Sequence, residues 1–255
     1  MSEQCRLCGL DCIKPLFSAE SRWGLLHYYE CPRCDYVQTQ HPTWLASAYE
    51  APINKSDTGI MTRNQVNAKK VISTLSLLGC LNERVVDCAA GYGILVRLLR
   101  DKGIDAYWSD RYSENLLSKG FEYHDGTAAL VTAFEAFEHF VDPLAESQKL
   151  LCISSNILIS TTLIPSPAPK PSTWWYYGLE HGQHIGFFRI KSLQFIASQL
   201  GLNLLTDNHS LHLFSKNQYS PLIWRLLRIA TRIHPSILTH RLTSKTMSDH
   251  HKLSM

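Results

Sequence analysis

The sequence predicts an α/β fold, a mostly parallel sheet with helices on both faces, preceded by a small module built around cysteines. Three observations predict it. Short apolar runs alternate with helical windows between residues 84 and 214, the pattern of strand-helix-strand units. One run, Val85-Val86-Asp87-Cys88, continues through Ala89-Ala90-Gly91-Tyr92-Gly93 into a helical window. Two Cys-x-x-Cys pairs, Cys5/Cys8 and Cys31/Cys34, precede the whole array.

The cysteine pairs define the first unit, residues 1–45. Two intervening residues let both thiolates of a tight turn face one ion, and two such turns complete a tetrahedral zinc site. Gly9 follows the first pair, where the turn needs a positive φ. The zinc assigned to Cys5, Cys8, Cys31 and Cys34 is structural. Its binding energy holds a segment too small to fold by burial alone. Scattered buried thiols and a redox pair are the competing readings, and the doubled spacing disfavours both. Cys12 fits neither pair, while Cys80, Cys88 and Cys152 stand singly among apolar residues, as core fillers do.

Residues 46–82 read as a linker and leading helix: 51–63 is polar, and helical spacing runs from Val66 to Leu78 before Gly79. In the main domain, residues 83–215, the expected strands are 84–88, 106–109, 130–134 and 156–161, with a weaker one at 121–124. Expected helices are 94–100 stopped by Gly103, 113–118, and 143–151 with Asp142 as cap and Pro143 in the first turn. A helix at 190–200 ends at Gly201, and 202–207 with 210–214 forms a closing antiparallel hairpin. That makes seven strands. The proline-rich stretch 165–171 excludes helix and central strand. It leads into Trp174-Trp175-Tyr176-Tyr177, which reads as a long binding loop or lid. Residues 216–255 form a basic helical tail, with Leu222, Leu226, Ile229 and Ile233 on one face beside Arg225, Arg228 and Arg232. This face is expected to pack on the domain or on a second subunit as a homo-oligomer, in preference to a peripheral membrane contact.

Composition narrows the classes further. With 255 residues, 45% hydrophobic and 18% charged, the chain can bury one full core plus an appendage. Its 25 basic and 22 acidic residues leave +3, no footprint for a nucleic-acid partner. No apolar run reaches the roughly 18 residues of a transmembrane segment. Met1-Ser2-Glu3-Gln4-Cys5 lacks the basic start and apolar stretch of a signal peptide. The expectation is a cytoplasmic protein whose cysteines stay reduced.

The small residues of 85–93 allow close backbone approach to a ligand, and the helix that follows offers unpaired N–H groups. The next strand ends at Asp110, whose carboxylate can accept both hydroxyls of a ribose. A plain turn with a surface aspartate is the alternative. The segment 85–93 resembles the first motif of class I S-adenosylmethionine-dependent methyltransferases, Asp-x-Gly-x-Gly-x-Gly, with Ala89 where the first glycine stands. Asp110 matches that family's ribose-binding acid. Val131-Thr132-Ala133-Phe134-Glu135-Ala136-Phe137-Glu138-His139-Phe140-Val141-Asp142-Pro143 resembles its fourth-strand signature. The resemblance spans about residues 60–215. A zinc-knuckle N-terminus ahead of such a domain is similar to the sugar C-methyltransferase group and its relatives. It implies a Rossmann-like seven-stranded mixed sheet with S-adenosyl-L-methionine as cofactor. By the same resemblance Asp87, Ala89, Gly91 and Gly93 line the methionine side and Asp110 holds the ribose. Arg111 and Glu135 lie nearby, and Asp125 stands for the adenine-contacting acid.

Methyl transfer is an in-line displacement that must align the acceptor and remove its proton. Glu135, Glu138 and His139 resemble a group that binds a divalent ion in quinone-biosynthesis and small-RNA O-methyltransferases, so Mg is a candidate there. In metal-free relatives the same residues stabilise a turn. His181 and His184 lie in Glu180-His181-Gly182-Gln183-His184-Ile185-Gly186-Phe187-Phe188. The sugar C-methyltransferases carry the base in a Glu-His pair followed by aromatics. The aromatic register assigns that base to His184, with Gln183 at the glutamate position, whereas His181 matches the pair but not the spacing. The expected function is methyl transfer to a small molecule such as a nucleotide-sugar or another glycan or natural-product precursor. The alternatives are a divalent-metal-dependent O-methyltransferase, a non-catalytic scaffold suggested by Ala89, and a dinucleotide oxidoreductase, which leaves 134–143 unaccounted for.

Overall fold

The structure is a computed structural model and describes residues 3–12, 15–49, 57–234 and 236–255. The N-terminal unit opens with β1 (Glu3–Gln4) and β2 (Asp11–Cys12), an antiparallel pair. It continues with β3 (Pro15–Ser21), β4 (Gly24–Glu30), β5 (Val37–Thr39) and the single turn α1 (Leu45–Ala48). Then follow α2 (Ile60–Leu78), β6 (Arg84–Cys88), α3 (Ile94–Asp101), β7 (Asp105–Ser109), β8 (Leu130–Phe134), α4 (Pro143–Ile153) and β9 (Asn156–Ser160). The chain finishes with β10 (Gly186–Phe187), α5 (Ile190–Leu200), β11 (Asn203–Thr206), β12 (Leu211–Ser215), α6 (Pro221–Ile233) and α7 (Thr246–Leu253).

Among the described residues the main sheet has six strands, ordered β11-β12-β9-β8-β6-β7. Its centre is parallel, and β12 runs antiparallel to both β9 and β11. The seventh strand expected at 121–124 is a correction. That segment makes one parallel bridge, Trp108 to Glu122, because positive-φ glycines at Gly120 and Gly126 bend the chain on either side of it. The helix expected at 113–118 is also absent. There Leu116 and Leu117 give their N–H groups to the Tyr92 carbonyl at 3.2 and 3.0 Å, so a turn elsewhere in the chain takes the bonds a helix would use. Asp142 does cap α4, its Oδ1 accepting from the Ala145 N–H at 2.9 Å. Part of the linker expected at 51–63 lies outside the described residues, and its end is already helical from Ile60.

Helices α2, α3 and α6 cover one face of the sheet through Val71, Leu75, Val85, Leu99, Leu130 and Trp224. The other face buries Val86, Val131, Phe137 and Ile157 with Leu193 and Ile196 of α5. Cys5, Cys31, Cys34 and Tyr36 belong to that same core. The boundary expected at residue 45 is therefore crossed by packing, and by pairing as well. Strand β10 completes a four-stranded antiparallel sheet, β10-β5-β4-β3.

The tail packs as expected, but through a different face. Trp224 is buried on α2, its Nε1 donating to Thr74 Oγ1 at 3.1 Å. Leu222, Leu226, Ile229 and Ile233, the face expected to pack, are exposed. The indole buries more apolar surface than any of the four and lies about 180° from them on the helix, so it sets the rotation. Helix α7 is tied to α3 by Asp249, which accepts from Arg97 and Arg100 at 2.6 to 2.7 Å. No helix among the described residues is long and apolar enough to cross a membrane.

Candidate functional site

Strand β6 carries the chain to the C-terminal edge of the sheet, where Ala89, Gly91 and Gly93 take φ of 69°, 53° and 85°. Alanine tolerates the left-handed region only at a cost of about 1 kcal/mol. A Cβ on Gly93 would lie 2.6 Å from Ser118 Oγ, so glycine is required there. Asp110 sits just beyond β7, and both its oxygens are engaged. Oδ2 accepts from the Gly91 N–H at 2.8 Å, and Oδ1 accepts from the Tyr112 and Ser113 N–H groups at 2.7 and 2.8 Å. The carboxylate expected at a ribose thus also locks the turn. Asp87 is buried beneath it and accepts the Thr132 hydroxyl at 2.6 Å. Burial, reinforced by Asp110, pushes its carboxyl up to about 7. Arg111 is exposed in the next loop. Asp125 lies elsewhere: its carbonyl accepts from Arg84, at the start of β6, at 3.3 Å, the opposite edge of the sheet from the turn.

The second group gathers where β8 ends. Glu135, at φ 50°, gives its N–H to Ser160 and accepts the Ser160 hydroxyl at 2.5 Å. Glu138 is fully buried. Its Oε1 accepts the Tyr176 hydroxyl at 2.7 Å, whereas Oε2 meets no hydrogen-bond partner within ordinary distance among the described residues. Burial, with Glu135 adding, pushes the Glu138 carboxyl up to about 8. His139 Nδ1 meets the Gln183 carbonyl at 3.1 Å, and His184 Nδ1 meets the Tyr176 carbonyl at 2.6 Å. A carbonyl only accepts, so both rings carry hydrogen on Nδ1 and keep the lone pair on Nε2. Burial holds His139 at about 4, with His181 adding, and holds His184 well below the usual imidazole range, with His139 and His181 adding. One donor atom each from Glu138, His139 and His184 lie within 4.8 Å of one another. The sequence grouped Glu135 with Glu138 and His139; the fold brings in His184 instead. His181 stands behind, its ring 4.8 Å from His184 and its Nδ1 accepting from the Gln183 N–H at 3.2 Å.

Two contributors had little or no sequence signal. Tyr176 belongs to the aromatic run, but its hydroxyl partnership with Glu138 depends on the fold. Tyr49 carried no signal at all. Its ring stacks on Tyr112 at 4.8 Å and meets His139 at 6.0 Å, linking the Asp110 loop to the histidines. Trp175, by contrast, is exposed, its ring edge-on to Tyr176 at 5.3 Å.

The N-terminal unit holds the histidine loop in place. Trp44 Nε1 donates to the Gly182 carbonyl and Gln183 Nε2 to the Ala48 carbonyl, both at 2.8 Å. Thr39 N–H and the Arg6 guanidinium both donate to the Ile185 carbonyl, while Ile185 N–H donates to the Glu138 carbonyl at 2.8 Å.

Beneath Arg6, the sulfurs of Cys5, Cys8, Cys31 and Cys34 lie within 4.8 Å of one another. The Cys5–Cys34 and Cys8–Cys31 separations are 3.7 and 3.5 Å, against about 3.8 Å for a tetrahedron of Zn–S bonds near 2.3 Å. Each knuckle closes on a left-handed residue, Gly9 at φ 72° and Asp35 at φ 57°. The contact between the Cys5 and Cys34 sulfurs lowers one thiol of the pair, Cys5, and raises the other, Cys34. The donor set is compatible with zinc. The side chain of Cys12 lies outside the described residues. Cys80 and Cys88 are half-buried, and Cys152, expected in the core, is exposed at the α4 surface.

No curated protein matches the chain. Among solved structures, it is similar to magnesium protoporphyrin IX methyltransferase from Synechocystis PCC 6803 with bound SAH. That match has 13% identity and a TM-score of 0.45, covering 68% of this chain and 95% of the other. It is similar to human N-acetylserotonin methyltransferase in complex with SAM at 13% identity and a TM-score of 0.43, covering 69% and 66%. The likeness to TnmH has 15% identity and a TM-score of 0.45; it covers 63% of this chain and spans 57% of TnmH. The family model described as a methyltransferase domain matches residues 61–207, from α2 through the glycine turn and the Glu138 group to β11, and the chain belongs to that family.

Proposed function

We propose that the chain transfers a methyl group from S-adenosylmethionine to a small-molecule acceptor bound between the glycine turn and the Glu138–His139–His184 group. The observation that carries this reading is the continuity of the two groups through Tyr49, which contacts Tyr112 on one side and His139 on the other. A cofactor on the turn and an acceptor on the histidines would then be neighbours, as in-line displacement requires. When bound, the cofactor supplies a methyl on a positively charged sulfur. Gly91, Gly93 and the start of α3 offer backbone approach and N–H groups to its carboxylate end. Asp110 uses its remaining lone pairs for the ribose hydroxyls. The acceptor class, a nucleotide-sugar or another glycan or natural-product precursor, rests on the cysteine module and on the aromatic loop around His184.

Two roles for the acceptor-side residues compete. In the first, His184 Nε2 takes the acceptor proton while the Tyr176 carbonyl fixes the ring. In the second, Glu138, His139 and His184 hold a divalent cation, which when bound would acidify an acceptor hydroxyl. The Oε2 of buried Glu138, without a hydrogen-bond partner among the described residues, favours the second. So do the two imidazoles fixed through Nδ1 by backbone carbonyls, the arrangement that orients metal-ligating histidines. Separately, Cys5, Cys8, Cys31 and Cys34 are proposed to hold a structural zinc that keeps the histidine loop seated.

Calorimetry with S-adenosylmethionine, S-adenosylhomocysteine and NAD, followed by labelled-methyl transfer to nucleotide-sugars and phenolic acceptors, tests the reading. Binding of the first two and turnover with at least one acceptor is expected. Binding of NAD alone would make the chain an oxidoreductase, and cofactor binding with no turnover on any acceptor would make it a scaffold.

A further inference from the structure

We infer that α6 is a docking surface for an anionic lipid bilayer, an interaction separate from the methyl-transfer site. The helix has two faces. The inner face buries Trp224 and Thr231 on the domain, and Arg228 lies over the Trp224 ring while donating to Asp207 at 2.9 Å. The outer face carries Leu222, Leu226 and Ile233 at 64%, 56% and 79% exposure, with Ile223 and Ile229 also exposed. At roughly 100° per residue these five fall in one stripe about 120° wide, opposite Trp224. An apolar stripe of this length on a helix already held by its other face is not a folding remnant. It is surface presented to something.

Charge says what that is. Between Asp207 and Asp249 the sequence contains no Asp or Glu, and it carries Lys216, Arg225, Arg228, Arg232, Arg241 and Lys245. Arg225 and Arg232 are exposed on one flank of the stripe. Of the six cations, Arg228 has Asp207 as its partner. A second copy placed stripe to stripe would bring no carboxylate from this segment to Arg225 and Arg232, so it would bury the leucines and isoleucines but leave the guanidinium groups without a counter-charge from the segment. A bilayer with anionic headgroups satisfies both features at once: acyl chains take the leucines and isoleucines, and headgroups take the guanidinium groups. The helix would lie in the interface plane, since 13 residues are too few to span.

The test is co-sedimentation of the full chain with extruded vesicles. Phosphatidylcholine–phosphatidylglycerol vesicles are expected to pull the protein down, phosphatidylcholine alone not, and added salt should weaken the binding. Leu226→Glu and Ile233→Glu should each abolish sedimentation. Arg225→Gln and Arg232→Gln should weaken it about fivefold each. All four positions are exposed, so melting temperatures should stay at the wild-type value, which separates lost docking from lost folding. Absence of sedimentation, or sedimentation unaffected by Leu226→Glu, overturns the proposal. A dimer in sedimentation velocity that Leu226→Glu dissociates would assign the face to a second copy and overturn it equally.

Discussion

The glycine turn and the histidine loop lie at the same edge of the sheet, yet they are built in different ways. The turn is local. Ala89 through Gly93 are held by Asp110, by Trp108 Nε1 on the Gly91 carbonyl at 2.8 Å, and by Ser118 Oγ on the Gly93 carbonyl at 2.6 Å, all within about thirty residues. The histidine loop is assembled at long range. His184 and its neighbours depend on Arg6, Thr39, Trp44, Ala48 and Glu138, contributed by two cores and a sheet that β10 joins from far along the chain. A local site survives as a motif; a long-range site is a property of the fold.

That difference yields an ordered set of experiments, and the largest effect belongs to the acceptor side. If Glu138, His139 and His184 hold a cation, then Glu138→Gln, His139→Ala and His184→Ala should each lose roughly 10²–10⁴-fold in turnover. Divalent-ion dependence should vanish with them, while S-adenosylmethionine affinity stays unchanged by calorimetry. The cation must displace the proton that burial holds on Glu138 up to about pH 8. Raised pKa means protonated below that value, so apparent Mn²⁺ or Mg²⁺ affinity should climb with pH through 6 and 7 and level off above about 8. A flat profile, or a chelator-insensitive enzyme in which only His184→Ala is inactive, would return the role to a general base.

Next in size is the cysteine cluster. Cys31→Ser removes one of four sulfurs from the core shared with Phe137 and Phe188. It should raise hydrogen-exchange rates at residues 182–187 by roughly tenfold or more, the signature of local opening. Rates at 87–93 should change little, since the turn has its own short-range bonds. Elemental analysis of wild type should find about one zinc per chain. Equal loosening of both segments would mean that the two sites form one cooperative unit and would break the comparison.

A smaller effect is expected at the cofactor side. Asp110→Ala should weaken S-adenosylmethionine binding by about 1.5–3 kcal/mol, roughly tenfold or more, because it removes a charge-assisted acceptor. Asp110→Asn keeps one acceptor oxygen, enough for the Gly91 N–H or for the Tyr112 and Ser113 N–H groups but not for both, so it should loosen the turn as well as weaken the ribose contact. Calorimetry showing wild-type affinity in both variants would remove Asp110 from the cofactor site.

The same contrast accounts for what the sequence made legible. Strands β6 and β8, the Asp142 cap and the Gly201 stop follow from nearest-neighbour rules, and all lie where periodicity put them. The Cys5, Cys8, Cys31 and Cys34 grouping was legible for the same reason, since spacing within a knuckle is local. Residues 113–118 and 121–124 departed from the pattern because their backbone groups pair with Tyr92 and Trp108, beyond the few residues that helix or strand periodicity reads. Periodicity found the apolar stripe of α6 but not its direction; Trp224 decided that by finding Thr74. Glu135 and His184 exchanged places in the acceptor group because Ser160 and Tyr176, from β9 and the aromatic loop, decide which side chains face inward. Tyr49 left no trace in the pattern, having no motif around it.

The smallest expected effect is at Ala89, where the chain departs from the methyltransferase motif. Its φ of 69° costs an alanine about 1 kcal/mol. Glycine would relieve that strain but release about 0.4–1 kcal/mol of extra freedom in the unfolded chain. The two nearly cancel, so Ala89→Gly should leave the melting temperature at or slightly above wild type. Gly93→Ala is the contrasting case. Its φ of 85° is equally left-handed, and its Cβ would lie 2.6 Å from Ser118 Oγ and 2.9 Å from Asn115 Oδ1, so no relief is available. It should cost about 1–3 kcal/mol and disturb the start of α3. Paired titrations with S-adenosylmethionine complete the argument. If Ala89→Gly binds as wild type does, the alanine is a tolerated substitution in a working turn and lends no support to a lost activity. If it binds severalfold tighter, the strain of Ala89 opposes the bound form of the turn. If it binds more weakly, the alanine methyl is itself a cofactor contact, and the departure from glycine is part of how this chain holds its ligand.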